Sequence, residues 1–158
     1  IVEQYCHGLD VLNWFAQGHP LKAAGTGGRK WRNYGDNLDH LNVTFEYANG
    51  LRGFLAANQL AVKRYGDVKE QFFGSEGILE TGRKYYQWHR GENDIVRQES
   101  KGDITAAAVQ VFFRSILEKK PFNMAFDACE STLTSLLGRL AIDKKVEVTW
   151  EEMLKSEG

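Results

Sequence analysis

Asn49-Gly50 stands between two runs, Leu41 to Ala48 and Leu51 to Gln59, that both mix apolar and polar residues in near alternation. No other stretch restricts the fold as much. Asn-Gly readily takes the positive φ angles of a tight hairpin, and alternation is the mark of a half-buried strand. A two-residue loop pairs Phe45 with Phe54, Val43 with Ala56 and Tyr47 with Arg52. One face then carries Leu41, Val43, Phe45, Tyr47, Phe54 and Ala56 and needs a helical layer over it. The other face carries Asn42, Thr44, Glu46, Gly53, Ala57 and Gln59. It is too polar for a core and is left for solvent, substrate or a second subunit's sheet.

Other elements group around this hairpin. Leu21 to Gly25 reads as a short strand, and Gly25 to Lys30 as a flexible exit from it. Val68 to Gly74 and Ile78 to Thr81 read as strands about the turn Gly74-Ser75-Glu76-Gly77, and Tyr85 to Arg90 as a further strand. Gly91 to Gly102 is polar and ends the sheet region. Asp103 can cap a helix from Ile104 to about Lys119, with Val109, Phe112, Phe113 and Ile116 inward. A second helix runs from about Phe126 to Ile142, and Thr149-Trp150-Glu151-Glu152 is a capping box that opens a last short turn. The expectation is an α+β domain: a mixed, largely antiparallel open sheet, helices on one face, the other face for oligomer contact or substrate.

Composition narrows the function. The chain has 158 residues and a net charge of −1, which gives no electrostatic case for nucleic acid or an anionic membrane. No apolar run approaches the ~20 residues a membrane helix needs. Cys6 and Cys129 form no metal or redox motif and read as free thiols, with a bridge between them left open; the compartment stays open too.

The chemistry concentrates at the start. On a helix, Glu3, His7, Asp10 and Trp14 fall near one face. A carboxylate one turn from a histidine can orient the ring and raise its basicity, as general acid–base chemistry at neutral pH requires. The same residues also suit a plain helix start, with acids favouring the macrodipole and Leu9, Leu12 and Phe15 as a buried stripe. No third and fourth ligand stands near His7 and Asp10, which argues against a metal.

Acid-x-x-x-His-x-x-Asp-x-x-x-Trp resembles a motif of the Gfo/Idh/MocA family, the glucose–fructose oxidoreductase and inositol dehydrogenase relatives, with Glu3 where the family usually has Asp. Gly27-Gly28-Arg29 through Gly35-Asp36-Asn37-Leu38-Asp39-His40 is similar to the "GGRQ-x-R…GD-x-x-DH" segment of one branch of that family. Phe72 to Glu80 resembles its "G-T-x-G-x-L" hairpin, and the helix pair with "V-x-V-T-W-E-E-M-L" resembles its C-terminal end. The resemblance covers nearly the whole chain.

It implies a parent enzyme that moves hydride between a sugar, polyol or related compound and NAD or NADP. His7 would be proton relay or hydroxyl anchor, and Glu3 its orienting partner. Asp10, Arg29, Arg32, Asp39 and His40 would be substrate contacts, while Asp36 reads as a turn cap. No Gly-x-Gly-x-x-Gly follows a strand, and no Glu-Lys-Pro triplet is present. The chain opens inside the motif without an initiator Met. Residues 1–158 are therefore expected to be a single C-terminal substrate-binding and oligomerisation domain of a longer protein. Its own N-terminal nucleotide-binding domain would be its partner, and the fragment alone would be inactive, with no cofactor bound. A relative that cleaves glycosidic bonds by transient oxidation, or a non-catalytic sugar-binding module, fits the same residues.

Overall fold

The structure is a computed structural model, and it describes residues 1–59 and 66–156. These residues divide between two compact units, Ile1–Gly66 with Ala125–Gly158, and Asp67–Met124.

In the first unit, α1 (Val2–Ala16) leads to strands β1 (Lys22–Gly28), β2 (His40–Glu46) and β3 (Arg52–Asn58). The second unit holds strands β4 (Lys69–Gly74), β5 (Gly77–Gly82), β6 (Tyr85–His89) and β7 (Ile95–Glu99) and helix α2 (Ile104–Leu117). The chain then returns to the first unit with α3 (Ala125–Lys144), β8 (Val148–Thr149) and α4 (Trp150–Ser156). The α+β class holds. The strands form two open four-stranded sheets, ordered β3-β2-β1-β8 and β4-β5-β6-β7, with antiparallel pairings.

The hairpin forms where expected but closes one residue differently. Tyr47 N–H donates to Leu51 O at 3.1 Å and Gly50 N–H to Tyr47 O at 3.1 Å, so the loop has three residues. Gly50 sits at φ 83°, the left-handed position that ends such a loop. The register is therefore Val43 with Leu55, Thr44 with Phe54 and Phe45 with Gly53. A one-residue slip turns every side chain of β3 over. Gly53, Leu55 and Ala57 face the core, and Phe54 is 75% exposed on the outer face, with Ala56 exposed beside it.

Three other expectations need correction. Gly25 to Gly28 is not a loose exit; it is the second half of β1 and pairs with Val43 to His40. Ile95–Glu99 is a strand inside the stretch read as polar coil, and its Arg97 reaches Gln87 on β6 at 3.0 Å and Glu99 at 3.1 Å. A polar edge strand lacks the apolar alternation by which strands are found. Finally, Val109, Phe112, Phe113 and Ile116 do not face inward: no residue of α2 is buried. An apolar stripe is buried only where another element meets it.

The core of the first unit lies between the inner face of its sheet and the layer of α1 and α3. Leu9, Ala23, Leu41, Val43, Phe45, Leu137, Ala141 and Val148 are all within it. In α1 the buried stripe is Leu9, Asn13 and Ala16 with half-buried Leu12, and Phe15 is 41% exposed instead. Asn13 is admitted because its polar atoms are matched. It donates to Thr134 Oγ1 at 2.9 Å on α3 and accepts from the Tyr47 hydroxyl at 2.8 Å. Burial pushes that phenol's pKa up, so it stays protonated as a donor. The Thr149–Glu152 capping box forms in both directions, at 2.8 and 3.2 Å, and Trp150 stacks on His19 with ring centroids 4.0 Å apart. Cys6 and Cys129 are not joined by a disulfide.

Candidate functional site

Two groups of residues carry the expected chemistry, and they are built differently. The first is the outward face of α1. The helix ends beside the hairpin turn, where Asn13 holds Tyr47 and the Asn49 amide reaches Ala16 O at 3.5 Å. Traced back toward its N terminus, α1 runs away from that turn. His7, Asp10 and Trp14 are all exposed on it, so the helical spacing does gather them on one side. His7 has no hydrogen bond or ion pair among the described residues, and its ring is open to a ligand. Asp10 is tied to the fold, since its Oδ1 accepts from Ser131 Oγ at 2.5 Å and fastens α1 to α3. The side chain of Glu3 lies outside what the structure describes, so its place relative to His7 is not part of this geometry.

The second group is the connection between β1 and β2. Asp39 is 1% exposed, and its carboxylate is consumed by the chain around it. Oδ2 accepts from three successive backbone amides, those of Lys30 at 2.9 Å, Trp31 at 2.8 Å and Arg32 at 3.0 Å. Oδ1 accepts from His40 Nδ1 at 2.6 Å. The Arg32 amide above all, then the other amides and the imidazole, hold the Asp39 carboxyl well below the usual carboxylate range, against the opposing effect of burial. Asp39 thus folds the loop and orients His40. The bond places the imidazole proton on Nδ1 and leaves Nε2, on a ring about half exposed, to meet a ligand. Arg29 and Lys30 are exposed and Arg32 is half-buried. Asp36 is exposed and caps nothing among the described residues.

The loop also presents two residues that the motif reading passed over, Trp31 at 79% exposure and Tyr34 at 71%. The run Arg-Lys-Trp-Arg-Asn-Tyr from Arg29 to Tyr34 was the signal available for them.

The hydrogen bonds make a prediction. In Asp39→Ala the amides of Lys30, Trp31 and Arg32 lose their shared acceptor, and their hydrogen exchange should accelerate about tenfold or more. Asp39→Asn, which keeps one acceptor oxygen, should preserve most of the protection. The folded carboxyl is depressed below its ordinary value of 3.8. Its contribution is therefore complete above that pH and is lost as the pH falls below it. Wild-type loop protection should begin to fall as the pH drops below 3.8 and keep falling toward the lowered folded value. If Asp39→Asn decays equally over that range, the carboxylate is not what holds the loop.

The glycine-rich segment of β1 is not a dinucleotide-binding turn. The glycine run Gly25-Thr26-Gly27-Gly28 lies in a strand, and a Cβ on Gly25 would stand 2.8 Å from Asn42 O and 3.2 Å from Ile142. Its glycines serve close strand pairing and packing under α3, not a turn that opens a helix toward a pyrophosphate. The helices that follow strands open at Asp103 and Thr149, whose own side chains cap them. Among the described residues no cluster of three metal-binding side chains occurs, and no helix is long and apolar enough to cross a membrane.

Comparison with known proteins agrees with this architecture. A levoglucosan dehydrogenase solved with NADH and levoglucosan superposes with a TM-score of 0.77 at 15% identity, over 93% of this chain and 49% of that one. A UDP-N-acetylglucosamine 3-dehydrogenase from Acidithiobacillus ferrooxidans gives 0.75 at 18% identity, over 88% and 46%. A scyllo-inositol dehydrogenase from Lactobacillus casei, solved with NAD(H) and scyllo-inositol, gives 0.68 at 21% identity, over 92% and 46%. At these identities the likeness is one of fold, and the chain spans about half the length of each structure. No curated protein sequence matches. The family model for the GFO/IDH/MocA C-terminal domain matches residues 1–80, half of the chain, including α1, the β1–β2 loop and the hairpin. The chain belongs to the GFO/IDH/MocA family, as a C-terminal domain.

Proposed function

We propose that residues 1–158 are the substrate-binding and oligomerising domain of a longer NAD(P)-dependent oxidoreductase that acts on a sugar, polyol or related ring. The observation that carries this reading is the family match over residues 1–80, which spans every candidate: Glu3, His7, Asp10, Arg29, Arg32, Asp39 and His40. The fold neighbours named for levoglucosan with NADH and for scyllo-inositol with NAD(H) support the same class of substrate and cofactor.

The nicotinamide cofactor belongs to the parent's nucleotide-binding half, where the hydride chemistry takes place; the residues described here hold substrate and handle its proton. His7 relays a proton or anchors a hydroxyl, with Glu3 as its orienting acid. Arg29, Arg32 and His40 hold substrate oxygens. Asp10 and Asp39 act by position, Asp10 through its bond to Ser131 and Asp39 through the loop and the His40 ring. The open face of the first sheet, with Thr26, Asn42, Thr44 and Phe54, is the proposed contact in a homo-oligomer. A light-scattering mass equal to one 17.9 kDa chain would remove that part of the reading.

The decisive experiment supplies the parent protein with NAD+ or NADP+ and a panel of cyclic sugars and polyols. Net formation of reduced nicotinamide is expected. Bond cleavage without net reduction would move the parent to the redox-assisted glycosidase class, and neither event with any substrate would overturn the enzymatic reading.

A further inference from the structure

The loop from Arg29 to Tyr34 places three cations and two aromatic rings within six residues. Such a run could be solvated and mobile, but its backbone is fixed. The amides of Lys30, Trp31 and Arg32 all converge on one buried oxygen, Asp39 Oδ2, at 2.8 to 3.0 Å. With the backbone drawn inward, Trp31 and Tyr34 stand out into solvent, and the Arg32 guanidinium carbon lies 6.0 Å from the Tyr34 ring centroid. Large exposed aromatics on a braced loop have no part in the core of this unit, and their flat apolar faces suit the C–H faces of a sugar ring.

The charge on the loop is also unspent. Elsewhere in this unit Lys22, Arg52 and Arg139 each have a carboxylate within 4 Å. Arg29, Lys30 and Arg32 have no ion-pair partner among the described residues. The Asp39 carboxylate is turned inward to the loop amides and His40. Asp36 is the one exposed acid of the loop, and it too is unpaired among the described residues. Guanidinium groups present paired donors that match a carboxylate or phosphate better than they match a neutral hydroxyl.

We propose that this braced loop binds a carbohydrate carrying an anionic group, a phosphate or a carboxylate, so that the parent's substrate is a charged sugar and not a neutral one. Arg32 and Arg29 take the anion, Trp31 and Tyr34 flank the ring, and His40 Nε2 meets a ring hydroxyl. The inference rests on the functional reading above and narrows its substrate class. Pre-fixing the loop spares the ligand most of the ordering cost that a mobile loop would impose.

The test is calorimetric titration of the 158-residue chain with glucose, inorganic phosphate, glucose 6-phosphate and glucuronate. At least one of the two charged sugars should bind about tenfold or more tightly than either glucose or phosphate alone. Which of them does so distinguishes phosphate from carboxylate. Arg32→Gln, at a half-buried position whose folding is checked by circular dichroism, should remove that advantage of the charged sugar over glucose. Trp31→Ala should weaken glucose and the charged sugar alike. Equal affinity for glucose and both charged sugars, an advantage that survives Arg32→Gln, or no saturable binding of any of the four would overturn the proposal. A parent that oxidises neutral sugars without preferring charged ones would leave the oxidoreductase reading intact and remove only this inference. A parent that reduces no nicotinamide would remove that reading, while the titrations still decide what the loop binds.

Discussion

In the oxidoreductase proposed above as the parent, replacing His7 by alanine is expected to lower kcat by about 10²- to 10⁴-fold, the range of a positioned general acid or base. The structure makes this a clean experiment. His7 is exposed and without a partner among the described residues, and it lies on the side of α1 turned away from Leu9, Asn13 and Ala16. Its removal opens no cavity and leaves no buried group unmatched, so unfolding of the variant should match wild type within about 0.5 kcal/mol. A loss of kcat with unchanged stability assigns the imidazole to chemistry. A rise in KM alone would make it a hydroxyl anchor. Unchanged turnover would leave the α1 face as an ordinary solvated surface and remove His7, and Glu3 with it, from the mechanism.

Phe45→Ala is expected to cost about 3–5 kcal/mol, the usual range for truncating a buried phenylalanine. Phe45 is fully buried near the C-terminal end of β2, and its ring tip lies 3.1 Å from where a Cβ on Gly138 of α3 would stand. The sheet and helix layer meet here with no spare volume, so the cavity left by truncation cannot collapse. Against a typical total of about 5–15 kcal/mol, that loss leaves the first unit marginal. The control is Phe54→Ala on the neighbouring strand. Phe54 is 75% exposed, and its truncation should stay within about 0.5 kcal/mol. Urea unfolding of both variants also tests the hairpin register. If the two phenylalanines shared a face, as a two-residue Asn-Gly loop requires, the losses would be similar. A large loss for Phe45 and a negligible one for Phe54 is the outcome of the three-residue loop.

The register shows where reading the sequence stopped. Asn49-Gly50 with its flanking runs was enough to place the hairpin, because turn chemistry is local. The same dipeptide serves a two-residue loop or a three-residue loop ending in a left-handed glycine, and the choice depends on how β2 and β3 meet α1 and α3. Only packing decided that Gly53 and Leu55 turn inward and Phe54 outward. Helix α1 follows the same rule. Its 3.6-residue period places His7, Asp10 and Trp14 together, but period alone could not tell that Asn13 takes the buried position while Phe15 stays half outside. That choice depends on Tyr47 and Thr134, which lie 34 and 121 residues away and supply the partners that make a buried amide tolerable.

The candidate site divides in the same way. Residue types and spacings marked the His7 face and the glycine–arginine loop, and family resemblance gave them a chemistry. The inward turn of the Asp39 carboxylate, its three amide donors and its hold on His40 have no counterpart in spacing. An aspartate before a histidine reads equally well as a turn cap or a ligand. Periodicity, turn residues and caps are properties of neighbouring residues, and through them the sequence by itself determined the α+β class, most of the elements and the candidate residues. Strand register, the paired burial of Asn13, the polar edge strand at Ile95–Glu99 and the bracing of the Arg29–Tyr34 loop depend on partners distant in the chain. The free energy of burying a polar group or a side chain is set by what meets it in space, so only the tertiary structure could decide them.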